Sequence, residues 1–115
     1  MDIPVIGFIP PMGQVYADFN TFRMGKRWSK LYRGKQVLLL NEKEQSVFGT
    51  AVVLEVHLGK CNELCAMYAH ENHTRIGIEC DNHPEELYAT LKRIYGPHIL
   101  TPTKTFTVVK LRRRN

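Results

Sequence analysis

The sequence predicts an α+β domain in which a small β-sheet or β-barrel carries two short helices. The chain has 115 residues, the size of one domain with its own hydrophobic core. Hydrophobic residues make up 43% and charged residues 23%, as in ordinary globular proteins. The elements are predicted in the order β, loop, β, β, α, α, β, so strands distant along the chain must pair. We therefore expect a single domain over residues 1–115.

The first half of the chain is predicted to form three strands. They are an apolar run closed by two prolines, a short apolar run, and a longer β-rich run that can bend around a barrel. These strands cover residues 3–9, 36–40 and 47–58. Between the first two we expect a loop from Gly13 to about Lys35, which contains the only tryptophan, Trp28. A polar turn is predicted at 41–45.

Two helices and a final strand are predicted in the second half. Residues 61–70 have helical spacing of their apolar side chains. Asp81 or Asn82 can cap the second helix, and Gly96 with the following proline ends it. The buried stripe of this helix is predicted to be Leu87, Leu91 and Ile94. Residues 105–111 alternate cleanly and predict the last strand.

Positive charge is clustered along the chain. The net charge is +5, and the stretch between Asp18 and Glu42 contains six basic residues and no acid. These residues are Arg23, Lys26, Arg27, Lys30, Arg33 and Lys35. A second cluster, Lys110 and residues 112–114, ends the chain and suits a frayed basic tail. The first cluster indicates an anionic partner, either a nucleic acid, a nucleotide or an acidic protein; the alternative is a solvated face.

The cysteine and histidine residues favour a protein of a reducing compartment that binds no metal ion. Three cysteines is an odd number, no signal-peptide pattern begins the chain, and the apolar runs are too short to cross a membrane. We therefore expect a cytoplasmic protein, monomeric, with no membrane partner and no cofactor. Seven potential metal ligands occur within 27 residues, but they lack paired Cys-x-x-Cys motifs, so no metal is expected. They are His57, Cys61, Cys65, His70, His73, Cys80 and His83.

Several short motifs together resemble the ASCH family of the PUA-like superfamily. They are the Thr21-Phe22-Arg23 step with its basic turn to Trp28, and the segments 34–39, 48–53, 68–72 and 105–111. Their order and spacing match the family from about Asn20 to the end of the chain. The resemblance implies a PUA-like β-barrel with a cleft beside the Thr-x-Arg loop, a fold proposed to bind RNA. Small phage-type and prophage-type proteins also have this form.

The same resemblance implies candidate catalytic residues. Some bacterial members are amidohydrolases that remove the acetyl group from N4-acetylcytidine with a lysine, a threonine and a helical glutamate. Thr21 matches the threonine and Glu71 the glutamate, but Asp18 occupies the lysine position and has no amine. Another lysine or a histidine would have to activate the threonine. The candidates for that role are Lys26, Lys30, His70 and His73.

The residues predicted to bind a ligand lie in the basic loop. They are Arg23, Lys26, Arg27, Trp28 and Lys30. The planar guanidinium of Arg23 can grip a phosphate or stack on a base, and its alternative role is a structural ion pair with Glu71 or Asp18. Trp28 can stack on a base of a single strand, or else cap the core.

Three functions remain open from the sequence. The leading expectation is a module that binds RNA, another nucleic acid or a nucleotide. In this module the carboxylate of Glu71 would accept a hydrogen bond from the exocyclic amine of cytosine or adenine. The first alternative is an amidohydrolase acting on a modified nucleoside. The second is a protein-interaction module that uses its basic face.

Overall fold

The computed structural model describes residues 3–10 and 18–114, which form five strands, two α-helices and two short 3-10 turns. The strands are β1 (Val5–Phe8), β2 (Asp18–Met24), β3 (Gln36–Asn41), β4 (Ser46–Lys60) and β5 (Thr105–Arg114), and the helices are α1 (Cys61–Tyr68) and α2 (His83–Tyr95). The 3-10 turns are Arg27–Lys30 and Ala69–Glu71. The predicted α+β class is confirmed. Of the helices in the described residues, none is long and apolar enough to cross a membrane.

The five strands form one curled sheet, a half-barrel, in the order β1-β3-β4-β5-β2. β1 pairs with β3 in parallel, and the other neighbours are antiparallel. The register of β4 against β5 shifts between Val53 and Glu55, and such a bulge bends a strand and increases its twist. β1 and β2 are the two edges of the sheet. Beside β2, Asn20 forms an isolated parallel bridge to Asn72.

The sheet separates two apolar cores. The inner core consists of strand residues on one face of the sheet: Ile6, Phe8, Phe19, Val37, Leu39, Ala51, Val53, Val109 and Leu111. The outer core lies between the other face and the helices and contains Phe22, Cys61, Leu64, Cys65, Ala69, Leu87, Leu91, Leu100, Phe106 and Val108. Neighbouring residues of a strand point to opposite faces, so β2 sends Phe19 inward and Phe22 outward.

The prediction of a loop from Gly13 to Lys35 was wrong for residues 18–24, which form β2; the part before Asp18 lies outside the described residues. The reason is that β2 is buried on both faces. Phe19, Asn20, Thr21 and Phe22 are each at most 4% exposed. A strand covered on both sides shows no alternation of polar and apolar residues, and the buried Asn20 and Thr21 give the segment the composition of a loop.

Two further expectations were corrected. The basic end of the chain was expected to fray, but β5 continues to Arg114 because residues 112–114 pair with β2 and β4. Ile94 was expected in the buried stripe of α2 beside Leu87 and Leu91, but its side chain is 60% exposed. It lies at the end of α2, where the helix borders a cleft instead of the outer core.

The remaining elements agree with the sequence. β3, the turn after it, β4 and α1 lie where the pattern predicts them, and β4 is longer than expected at both ends. α2 begins at His83 with a proline in its first turn, acidic residues near its N-terminus and basic residues near its C-terminus, which complement the helix dipole. Asn82 precedes the helix, but its amide binds Glu86 and makes no capping hydrogen bond. Gly96 ends the helix at a φ of 92°, which glycine adopts without strain.

Candidate functional site

A cleft of about 580 Å³ lies between the free edges of β1 and β2 and the helix α2. Its apolar walls include Phe8, Phe22, Leu87 and Leu91. Its polar groups include Thr21, Arg23, Glu42, Asn72, His73, Thr74 and Tyr95. The cleft exists because the half-barrel does not close: in the described sheet, β1 and β2 are both edge strands and do not pair with each other.

Arg23 spans the gap between these two edges. Its Nη2 donates to the carbonyl oxygen of Gly7 on β1 at 2.6 Å, and its Nε donates to Thr21 Oγ1 at 3.0 Å. The guanidinium carbon lies 5.2 Å from the centroid of the Phe8 ring, a cation–π distance. Thr21 and Arg23 are two residues apart on one strand, so both point to the same face. The side chain is therefore held in one position inside the cleft.

The charge of Arg23 has no close counter-ion in the described part of the chain, where no carboxylate lies within 4.0 Å of the guanidinium. Burial lowers the pKa of Arg23 from its usual value, while Tyr95 and Glu42 oppose this effect. A buried cation is ordinarily paired, because desolvation is costly. An unpaired guanidinium facing a cleft is the arrangement expected of a group that binds an anion or an acceptor-rich ligand.

The structural alternative for Arg23, an ion pair with Glu71 or Asp18, is not formed. Glu71 instead pairs with Lys110, with 3.1 Å between Oε2 and Nζ. Asp18 accepts two hydrogen bonds from Arg112, at 2.9 and 3.0 Å, and this pairing lowers the pKa of Asp18. Both acids are thus engaged by cations of β5.

His73 lies beside Arg23 and is neutral at pH 7. Burial, with a further contribution from the Arg23 charge, lowers the pKa of His73 to about 4. The imidazole packs edge-on against Phe8 with 4.8 Å between the ring centroids. Its Nδ1 is buried and has no hydrogen-bond partner among the described residues. Such an unsatisfied polar atom costs free energy and commonly marks a functional site.

Asn72 fixes the wall of the cleft that carries His73. It is 1% exposed, and its Oδ1 accepts hydrogen bonds from the backbone N and the Oγ1 of Thr74 at 2.9 and 2.7 Å. The backbone N of His73 donates to the carbonyl oxygen of Asn20 at 2.9 Å, and the Asn20 amide donates to the carbonyl oxygen of Tyr68 at 2.8 Å. These bonds attach the segment 72–74 to the edge of β2.

Of the residues predicted to form the site, Thr21 and Arg23 come together in the cleft. Glu71 does not line it in the described structure. Its partner Lys110 is in register with Asn20, one residue before Thr21, and adjacent residues of a strand face opposite ways. Thr21 and Glu71 are therefore not arranged as a catalytic pair.

The other predicted binding residues belong to a basic turn, which we define as residues 26–35. Lys26, Arg27 and Lys30 are exposed, and among the described residues they are not part of the cleft lining. Trp28 packs against the inner core, as its structural alternative predicted, and Arg27 lies over its ring at 5.4 Å. Lys35 lies over the exposed ring of Tyr32 at 5.9 Å. The turn is a cationic and aromatic surface separate from the cleft.

The cysteines and histidines do not converge. In residues 3–10 and 18–114, no three of the His, Cys, Asp and Glu side chains are grouped closely enough to hold a metal ion. The sulfurs of Cys61 and Cys65 lie 4.0 Å apart inside the outer core, where the hydrogen bond with Cys61 and burial raise the pKa of Cys65. Cys80 lies 3.6 Å from His83 Nδ1, far along the chain from the other two cysteines.

The polar residues of the cleft that were not predicted as ligand-binding residues include Glu42, Asn72, Thr74 and Tyr95. They come from a turn, two loop positions and the end of α2, and no sequence spacing connects them. The one available signal was the Tyr68–Asn72 motif, in which the asparagine proves to line the cleft and the glutamate does not.

Comparison with protein-family models, with curated proteins and with solved structures finds no match to this chain. The class of site is therefore defined by its geometry: a mostly apolar cleft that contains the half-buried guanidinium of Arg23, which has no carboxylate within 4.0 Å among the described residues.

Proposed function

We propose that this protein is a nucleotide-binding module of the PUA-like (ASCH) type, in which the cleft holds one nucleotide unit of a single-stranded nucleic acid. The observation that carries the proposal is the half-buried guanidinium of Arg23, which has no carboxylate within 4.0 Å in the described residues. RNA is preferred over DNA because of the resemblance of the Thr21-Phe22-Arg23 step and its flanking segments to the ASCH pattern.

The size and lining of the cleft support a nucleobase as the occupant. A volume of about 580 Å³ lies in the range of sites for small molecules. Such sites combine apolar walls with a few polar groups that fix orientation. Here Phe22, Leu87 and Leu91 supply apolar surface, while Thr21 and Arg23 supply hydrogen bonds.

The basic turn supports a polynucleotide over a free nucleotide. Lys26 follows Arg23 by three residues, so at most ~10 Å separates their Cα atoms. The turn carries Lys26, Arg27, Lys30, Arg33 and Lys35, and four of these five side chains are exposed. Exposed cations next to a base-sized cleft suit the phosphates of flanking nucleotides.

The geometry favours binding over hydrolysis. The described lining of the cleft contains no lysine, and Glu71 is engaged with Lys110. The amidohydrolase alternative needs an activated threonine, and the hydroxyl of Thr21 accepts a hydrogen bond from Arg23, a group that cannot act as a base.

The test is fluorescence anisotropy with labelled single-stranded RNA, single-stranded DNA and duplex DNA over a series of salt concentrations. We expect the tightest binding to single-stranded RNA, with log K falling by about 0.7 per phosphate contacted for each tenfold rise in salt. Arg23→Gln should weaken binding at least tenfold. The matched control is Arg114→Gln, a change at an exposed arginine at the end of β5. Circular dichroism confirms that both variants are folded.

Three outcomes separate the alternatives. Binding that is lost in Arg23→Gln and kept in Arg114→Gln supports the proposal. Equal loss in both variants would show that only net charge matters and would overturn the role of the cleft. Release of acetate from N4-acetylcytidine that Glu71→Gln abolishes would establish the amidohydrolase instead. Absence of binding to all three nucleic acids at low salt would leave the protein-interaction alternative.

A further inference from the structure

The free hydrogen-bonding groups in the cleft are mainly donors. A guanidinium has five N–H groups. Arg23 uses one of them on Thr21 Oγ1 and one on the carbonyl oxygen of Gly7, so three remain for a ligand. Thr21 is 0% exposed and accepts from Arg23, so its hydroxyl holds the guanidinium in place. Asn72 is 1% exposed, and its amide, which contacts Asn20 Oδ1 at 3.5 Å, is enclosed in the wall of the cleft.

The acceptors that Arg23 contacts, and the amide oxygen of Asn72, are already occupied. The carbonyl oxygen of Gly7 and Thr21 Oγ1 both accept from Arg23. Asn72 Oδ1 accepts two hydrogen bonds from Thr74, which fills the two lone pairs of an amide oxygen. Glu42 is the acidic side chain of the described lining, and it is an exposed residue at the rim, beside Gly7. His73 Nδ1, which has no partner among the described residues, and the Tyr95 hydroxyl can each accept or donate. The guanidinium of Arg23 therefore makes the groups offered to a ligand at this point mainly donors.

We infer that the cleft recognises the carbonyl-rich edge of a guanine or uracil base, with Arg23 as the residue that determines specificity. This inference rests on the proposed function and names the nucleotide that the cleft prefers. Arginine donates two parallel hydrogen bonds to O6 and N7 of guanine, and the carbonyl oxygens of uracil are acceptors of the same kind. Adenine and cytosine present an exocyclic amine, which leaves a buried N–H of Arg23 without an acceptor.

A preference for guanine or uracil is the opposite of the base preference expected from the sequence. That expectation placed the Glu71 carboxylate opposite the exocyclic amine of cytosine or adenine. In the structure Glu71 binds Lys110 at 3.1 Å and is not part of the described cleft lining. The group that faces the base is the guanidinium of Arg23, whose hydrogen-bonding character is the opposite.

The experiment is isothermal titration of the full chain with GMP, UMP, AMP and CMP, and with inorganic phosphate as a separate ligand. We expect GMP or UMP to bind about tenfold or more tightly than AMP and CMP. Similar affinities for all four nucleotides, with phosphate as a competitor, would mean that Arg23 grips the phosphate; this overturns the inference and leaves the proposed function intact. A preference for AMP or CMP also overturns it. Failure of all four to bind overturns the proposed function as well.

Arg23→Lys provides the decisive variant. It keeps the positive charge and removes the planar pair of donors that matches two acceptors. We expect the preference for GMP or UMP to fall below about threefold while some nucleotide binding remains. Arg114→Lys, the same change at an exposed position, should keep the preference of the original protein. A preference that survives Arg23→Lys, in protein that circular dichroism shows to be folded, would assign base recognition to another group.

Discussion

Lowering the pH is expected to destabilise the protein through His73. Burial and the Arg23 charge lower the pKa of this imidazole from 6.5 to about 4 in the folded protein. In the unfolded chain the group titrates near its ordinary pKa of ~6.5. Between these values the unfolded state binds more protons than the folded state, so the free energy of unfolding falls as the pH falls. The contribution that the neutral imidazole makes to the free energy of unfolding is fully present above about pH 6.5 and is lost progressively toward about pH 4.

The size of this effect follows from the width of the pH window. A window from 6.5 to about 4, at about 1.4 kcal/mol for each pH unit, corresponds to about 3 kcal/mol. That is a large part of the total stability of a typical domain, roughly 5–15 kcal/mol. The imidazole packs edge-on against Phe8 and its Nδ1 has no partner in the described structure. A hydrogen bond with the backbone of Asn20 opposes the cost of burying the charged form, but it is smaller than the effect of burial.

The assay is urea denaturation of the original protein and of His73→Phe at several pH values from about 7.5 to about 4. Phenylalanine keeps an aromatic ring beside Phe8 and cannot take up a proton. Groups that titrate alike in both proteins, including Asp18, cancel in the difference. We expect the original protein to lose about 3 kcal/mol more than the variant over this range. Parallel pH profiles for the two proteins would refute the assignment of His73 as a buried neutral histidine.

Three further predictions concern folding and are checked by urea denaturation at pH 7. Leu87→Ala should lower the free energy of unfolding by about 2–5 kcal/mol, because Leu87 is 1% exposed in the outer core. Ile94→Ala, seven residues along the same helix, should change it by less than about 1 kcal/mol. Equal losses in the two variants would contradict the exposure of Ile94. Thr107→Val should lower the free energy of unfolding by about 1–2 kcal/mol, because it removes the 2.7 Å hydrogen bond to the carbonyl oxygen of Gly25. An unchanged midpoint of urea denaturation would mean that this bond contributes nothing to stability. Gly96→Ala should cost about 1 kcal/mol because its φ is 92°, and no loss would show that the end of α2 rearranges freely.

Local patterns in the sequence were sufficient for α2 and β5. The spacing of Leu87 and Leu91 predicted α2, and Gly96 marked its end. Apolar residues that favour strands recur through residues 105–111 and predicted β5, although both faces of this strand are buried. In α2 the period of the side chains reports the local conformation.

Long-range pairing decided the rest of the fold. β2 is a strand because it pairs with β5 along seven residues and lies between two cores, conditions that its own sequence does not encode locally. Residues 112–114 are ordered by pairing with residues at least sixty positions earlier in the chain. The contribution of such contacts depends on the position of distant segments, which no local pattern records.

The sequence by itself therefore determined the class of the protein, α+β with clustered positive charge, and singled out Thr21 and Arg23, which the structure places together in the cleft. Only the tertiary structure decided what surrounds them. Asn72 and His73 reach the cleft because a bridge to Asn20 holds their segment against β2. Glu71, one residue earlier, is drawn to Lys110 instead. The physical reason is that a binding site depends on where its side chains point as well as on which residues they are. Packing and hydrogen bonds between distant parts of the chain fix the orientation of those side chains.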